Sequence, residues 1–293
     1  MKKILLTGGS GFIGKNIAES YLSEKYQIIA PKRAELDVSS DESVRNFFRK
    51  NEFDAVIHSA GKPGHRNAAD PGGVFYANSR MFFNLEKYSD RFAKMINIGS
   101  GAIYDMRHYQ PKMKEEYFGE NIPADEHGLC KYVTGKYIEQ SSNIVDLHVF
   151  GIFGKYEDYA IRFISNAICK TLFDLPITIK QNRQFDYIYV ADLMPVLEFF
   201  IEHDSRHRSY NVTPDSAVSL LEIAEIIRKI SQKNLEIKVA ESGFGLEYSG
   251  DNSRLKTETH CKFRKIEEAI SELYYWYHDN LNSINQQLLL TDK

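Results

Sequence analysis

The sequence predicts an α/β protein: a doubly wound parallel sheet followed by a smaller, mixed C-terminal domain. Three observations carry this. The chain opens on the apolar run Ile4-Leu5-Leu6, followed directly by the glycine-spaced turn Thr7-Gly8-Gly9-Ser10-Gly11-Phe12-Ile13-Gly14. Strand-like apolar runs then alternate with helical patterns as far as Gly154, as in successive βαβ units. Beyond Gly154 the texture changes to short strands and amphipathic helices. A length of 293 residues accommodates one domain over 1–155 and a second over 156–293, with the chain crossing back to the first near 187–203.

Taken in order, Gly8 serves the tight turn after the first strand and Gly11 lets backbone approach a diphosphate. Gly14 lets the next helix, read over Gly14 to Leu22, pack closely on the sheet. With Phe12 and Ile13 between them, these residues read as a dinucleotide site in which a helix N-terminus faces the phosphates. Gln27 to Ala30 is the second strand, and its end meets the adenosine ribose. An acidic side chain there suits the 2′-hydroxyl of NAD and a basic one the 2′-phosphate of NADP. Lys32 and Arg33 therefore favour NADP; as plain solvated loop charges they would leave NAD as the alternative. Leu36-Asp37-Val38 reads as a short strand that brings Asp37 and Val38 to the adenine edge. Phe53 to His58 is a strand continued by Ser59-Ala60-Gly61, with Ala60 and Gly61 small where backbone passes the cofactor, and His58 reads as a packed, hydrogen-bonded residue. The basic loop Lys62-Pro63-Gly64-His65-Arg66 is a candidate for substrate contact.

Asn78 to Tyr88 presents a helical core face, and Ala93 to Ile98 is a strand ending in Gly99-Ser100. Small residues at the carboxyl end of a parallel strand border the ligand crevice, which makes Ser100 a site candidate. In the helix opened by Pro123-Ala124-Asp125-Glu126, His127 and Lys131 are i and i+4 and share a face. After the strand Asn143 to Phe150, the second half reads as a helix over Ile161 to Leu172 and strands near 177–179 and 187–190. A helix from Asp192 and the strand Tyr210-Asn211-Val212 follow. Ser219 and Glu222 form a capping box on a helix to Ile230. A strand over 236–239, a helix from Ile266 to Leu281 and a frayed tail from Gln286 complete the reading.

A hydrophobic content of 43% and a net charge of −3 exclude general disorder and nucleic-acid binding. Cys130, Cys169 and Cys261 are widely separated, so neither a disulfide framework nor a metal site is indicated. The chain enters a strand at once, leaving no room for a signal peptide, and no stretch is long enough to cross a bilayer. A cytoplasmic protein is expected.

These residues together resemble the extended short-chain dehydrogenase/reductases of the nucleotide-sugar epimerase, dehydratase and reductase group, a Rossmann-fold family. The likeness rests on Thr-Gly-x-x-Gly-x-x-Gly at 7–14, Gly99-Ser100-x-x-x-Tyr104, Lys131, Phe150-Gly151-Ile152-Phe153-Gly154, Tyr187-Ile188-Tyr189-Val190-Ala191-Asp192 and Tyr210-Asn211-Val212. It implies a nicotinamide cofactor, a nucleotide-diphospho sugar as substrate, and a homodimer. The direct step from Lys32-Arg33 to Ala34-Glu35-Leu36-Asp37 is similar to the GDP-fucose synthase and dTDP-4-dehydrorhamnose reductase subfamilies, both NADPH-dependent. By this resemblance Ser100 is the catalytic serine, and the family's Tyr-x-x-x-Lys falls on 127 to 131, where His127 replaces the tyrosine. Tyr132-Val133-Thr134-Gly135-Lys136 spells the same motif five residues on, a rotation of roughly 140° at ~100° per residue, so only one pair faces the cofactor. Small residues at Gly128 and Cys130 and the glutamate at 139 favour His127 and Lys131.

Gly101-Ala102 replace the acidic pair of the family's dehydratases, which argues against dehydration. Phe185 stands where an arginine is common, leaving Arg183 to grip the substrate diphosphate. The reading that follows is an NADP-dependent 4-keto-sugar reductase or 4-epimerase, with His127 exchanging the proton and activity falling as pH rises through its pKa in the reducing direction. A non-catalytic NADP-binding homologue is the alternative, and a substrate outside the sugars stays open.

Overall fold

The computed structural model describes residues 1–63 and 72–290. Its first half is the expected alternation: β1 (Lys3–Thr7), α1 (Phe12–Ala18), α2 (Leu22–Lys25), β2 (Gln27–Ile29), α3 (Asp41–Phe48), β3 (Phe53–His58), α4 (Val74–Glu86), β4 (Phe92–Ile98), α5 (Glu126–Ile138) and β5 (Ile144–Val149). The second half comprises β6 (Gly151–Phe153), α6 (Phe163–Leu172), β7 (Ile177–Asn182), β8 (Gln184–Phe185), β9 (Tyr187–Tyr189), α7 (Leu193–Glu202), β10 (Ser209–Val212), β11 (Val218–Ser219), α8 (Leu220–Ser231), β12 (Ile237–Phe244), α9 (Ser253–Thr259) and α10 (Ile266–Asp279). The six-stranded sheet runs β10-β5-β4-β3-β1-β2, and every pairing in it is parallel.

Because alternate strand residues point to opposite faces, the sheet is covered on both sides. Ile4, Leu6, Ile57, Ile96 and Leu147 pack with Ile17 of α1 and with Leu193, Leu197 and Phe200 of α7. Leu5, Val56, Met95 and Ile144 pack with Val44 and Phe48 of α3 and Phe82 and Leu85 of α4. The chain thus returns to the first core through α7 and β10 after leaving it at β5. A second core joins Ile164 and Ile168 of α6, Ile223 and Ile227 of α8, and Ile270 and Leu273 of α10. The capping box at Ser219 and Glu222 is present.

The glycine turn has the close contacts its spacing predicts. Gly8 has φ +72°, and a Cβ there would lie 2.6 Å from the Ala60 nitrogen; one on Gly14 would lie 2.1 Å from the Gly8 carbonyl oxygen.

Three expectations are corrected. The first helix spans 12–18 rather than 14–22, because the Ser20 hydroxyl donates to the Ile17 carbonyl (2.8 Å) and accepts from the Leu22 nitrogen (3.2 Å), turning the chain. Leu36-Asp37-Val38 is not a strand: the Asp37 carboxylate accepts from the Ser39 nitrogen at 3.0 Å and holds a turn. Gln286 to Leu289 forms a helical turn instead of fraying, and Leu289 is buried in the second core.

Candidate active site

The carboxyl ends of β1, β3, β4 and β5 open onto a cleft of about 700 Å³, whose opposite wall includes Glu157, Arg162, Tyr187 and Tyr248. Phe12, Ile13, Ala60, Gly61, Ser100, His127 and Lys131 all line it. Ser100 follows β4, and its Oγ accepts from the Ala102 nitrogen at 3.2 Å. Asp125 caps α5 by accepting from the Gly128 nitrogen at 2.9 Å, which starts the helix so that His127 and Lys131 face the cleft. Lys131 Nζ donates to the Ile98 carbonyl at 3.0 Å, fixing the ammonium at the end of β4. His127 Nδ1 is buried and has no hydrogen-bond partner among the described residues. Burial, then the nearby Lys131 charge, lowers the His127 pKa to about 4, so the imidazole is neutral at neutral pH.

The competing register points elsewhere. Tyr132 packs edge-on against Phe118 at 5.4 Å, and Lys136 pairs with Glu139 at 3.0 Å; neither lines the cleft. His58 holds Thr7 Oγ1 at 2.8 Å from its Nδ1.

Gly8, Gly11 and Gly14 shape the turn beside the cleft, Gly11 donating its N–H to the Gly8 carbonyl at 2.9 Å. Lys32 and Arg33 are exposed beyond the end of β2, outside the cleft, with Arg33 Nε 3.2 Å from Asp37 Oδ2. Asp37 and Val38 are not brought to the cleft. The Asp37 carboxylate is taken up by Arg33 and Ser39, while Val38 is buried and its carbonyl accepts from Asn84 Nδ2 at 2.9 Å. Arg183 borders an adjoining cleft of about 380 Å³ that also holds Lys170 and Lys180 and shares Ile161, Phe163 and Phe185 with the first. Of the loop at 62–66, Gly64, His65 and Arg66 lie outside the described residues.

The sequence reading missed Glu157 and Tyr248. Glu157 is buried, accepts from Ser165 Oγ at 2.6 Å, and has its pKa pushed up to about 8 by that burial. Both residues lie in irregular segments with no periodicity to mark them.

The fold and this arrangement define a nucleotide-cofactor class of protein, and the sequence comparison makes the class specific: the chain belongs to the NAD dependent epimerase/dehydratase family, whose model matches residues 4–213. Among curated relatives, GDP-L-fucose synthase of Sinorhizobium fredii is 26% identical over 250 residues, covering 78% of this chain and 80% of the relative. UDP-glucose 4-epimerase of Bacillus subtilis is 23% identical, covering 95% and 98% respectively. Among solved structures, GDP-mannoheptose C4 reductase from Campylobacter jejuni with NADP bound shares the fold at TM-score 0.81 and 21% identity, covering 94% of this chain and 98% of that one.

Proposed function

We propose that this protein is an NADP-dependent oxidoreductase or 4-epimerase acting on a nucleotide-diphospho hexose, and that its main reaction is reduction of a 4-keto sugar. The convergence of Ser100, His127 and Lys131 in one cleft beside the glycine turn carries the reading. Relatives named as GDP-fucose synthase and UDP-glucose 4-epimerase, and a fold neighbour named as an NADP-bound C4 reductase, support it.

The residues fit the cofactor. Gly8 and Gly14 leave bare backbone where a Cβ would clash, and Lys131 is anchored at the end of β4 where it can bond the nicotinamide ribose. Bound NADPH supplies the hydride. The Ser100 hydroxyl bonds the sugar oxygen at C4, and the neutral His127 ring polarises that oxygen through an N–H. Arg183, in the adjoining cleft, is placed to meet the substrate diphosphate. Given a nucleotide 4-keto sugar, the protein is expected to oxidise one NADPH per product formed. Interconversion at C4 without net cofactor use would select the epimerase, and release of a 4-keto-6-deoxy product from an intact nucleotide hexose would refute the reading.

Cofactor preference follows from Lys32 and Arg33, which take the 2′-phosphate in this reading. Replacing both by Ala is expected to weaken NADPH selectively by ~1.5–3 kcal/mol, the range for hydrogen bonds to charged groups. Equal dissociation constants of the unaltered protein for NADPH and NADH would sink the assignment.

Among the described residues no helix is long and apolar enough to cross a membrane. A cytoplasmic homodimer is the form we infer; the unpaired Cys130, Cys169 and Cys261 suit a reducing compartment, and the resemblance to dimeric family members supports the assembly.

A further inference from the structure

The two walls of the cleft are built on different cores. Phe12 and Ile13 of α1 line the cofactor side, while Glu157 and Arg162 line the opposite side; α1 packs into the first core, α6 and α10 into the second. A short strap, Lys155 and Tyr156, crosses from one to the other. Asn16 Nδ2 donates to the Phe12 carbonyl at 2.9 Å and to the Lys155 carbonyl at 2.8 Å, so a single amide group holds both the first turn of α1 and the strap. The Tyr156 hydroxyl donates to Glu19 Oε2 at 2.8 Å. The Lys15 ammonium lies 3.6 Å from the centre of the Tyr156 ring, a cation–π contact. Lys15, Asn16 and the capping Glu19 thus make the end of α1 a seat for the strap.

The strap is joined as closely to the second core. The rings of Tyr156 and Trp276 of α10 meet edge to face at 5.3 Å. The next residue, Glu157, accepts from Ser165 Oγ of α6 at 2.6 Å, and α6 begins directly after Arg162. Tyr156 itself has φ +70°, a left-handed backbone that a bulky residue adopts only where its surroundings hold it. Its contacts with α1 therefore work against a backbone preference that favours release, which gives the strap a seated and a released arrangement.

We propose that Asn16 is a positioning residue through which the occupied cofactor site sets the substrate wall. With NADP bound, Phe12 and Ile13 are held against it and the first turn of α1 is fixed. Asn16 passes that constraint to Lys155, and the seated strap holds Glu157 and Arg162 in place for the nucleotide-diphospho sugar. Cofactor and substrate then bind cooperatively, because the first ligand meets part of the ordering cost that the second would otherwise face. By linkage each tightens the other by the same factor. The coupling rests on the proposed function for the identity of the two ligands and goes beyond it in naming how their sites communicate.

Calorimetry on the full chain tests this, with GDP, UDP, dTDP, ADP and CDP each titrated in the absence and in the presence of saturating NADP⁺, pairs that cannot react. In the unaltered protein NADP⁺ is expected to tighten the diphosphate that binds by at least ~5-fold, the lower end of couplings between sites. Asn16→Leu keeps the size of the side chain and removes its donor; it is expected to erase the factor while the affinity for each ligand alone is kept. Tyr156→Phe keeps the ring on Lys15 and Trp276 and loses only the bond to Glu19, so it is expected to reduce the factor without erasing it. A role confined to stability would lower the thermal midpoint and leave the factor intact. A factor that survives undiminished in either variant, or is absent from the unaltered protein, would overturn the coupling and leave the proposed function standing. Binding of none of the five diphosphates, with NADP⁺ present, would overturn the proposed function and the coupling together.

Discussion

Replacing His127 by Ala is expected to lower turnover of the true substrate ~10²–10³-fold while NADPH still binds. The magnitude is that of losing one preorganised hydrogen-bond donor at a developing oxyanion, which is the role a neutral imidazole can fill. The pH dependence separates this role from proton donation. With the pKa of His127 lowered to about 4 by burial and Lys131, an imidazolium donor would become scarcer above that value. Activity in the reducing direction would then fall about tenfold for each pH unit above 4. A neutral N–H donor gives a rate that is flat from about pH 6 to 8. A steep decline over that interval would return the proton to His127. Full turnover in His127→Ala, with loss of turnover in Tyr132→Phe, would move the catalytic pair to the other register, although Tyr132 packs on Phe118 outside the cleft.

Glu157→Gln is expected to stabilise the protein in alkaline solution and to change little near pH 5. The Glu157 carboxyl is buried beside Ser165 and has its pKa raised from 4.5 to about 8. The folded state therefore holds a proton that the unfolded chain releases from about pH 4.5 upward. Its contribution to stability is fully present below that pH, is lost as pH rises from about 4.5 to 8, and reaches a penalty on the order of 5 kcal/mol at complete ionisation. Glutamine preserves the acceptor for the Ser165 hydroxyl without the charge. Thermal melts of both proteins from pH 5 to 9 should diverge steadily, the variant ending higher. A difference in midpoint that stays constant across the range would show that Glu157 does not titrate as the structure implies.

Much of the protein is legible in its sequence because the information is local. The βαβ alternation, the capping box at Ser219 and Glu222 and the glycine spacing at 8, 11 and 14 each depend on periodicity or on backbone conformation, and each has the form its residues predict. The i, i+4 placement of His127 and Lys131 is likewise a property of one helix. Where a side chain competes with the backbone, local pattern misleads: Asp37 and Ser39 turn a segment whose apolar flanks resemble a strand, and Ser20 ends a helix early. The protonation state of His127 is a different matter, since desolvation is set by everything packed around a group and no spacing along the chain encodes it.

The sequence by itself determined the sheet, the glycine turn and the face on which His127 and Lys131 lie, since these follow from residues within a few positions of one another. Only the tertiary structure decided that Tyr248, a single tyrosine in an irregular segment, lines the same cleft as Ser100, its hydroxyl occupying the space left open at Gly101. The two residues are far apart in the chain. What joins them is the packing of Tyr248 on Tyr109 and Phe150, and that packing exists only once the two cores have closed on each other.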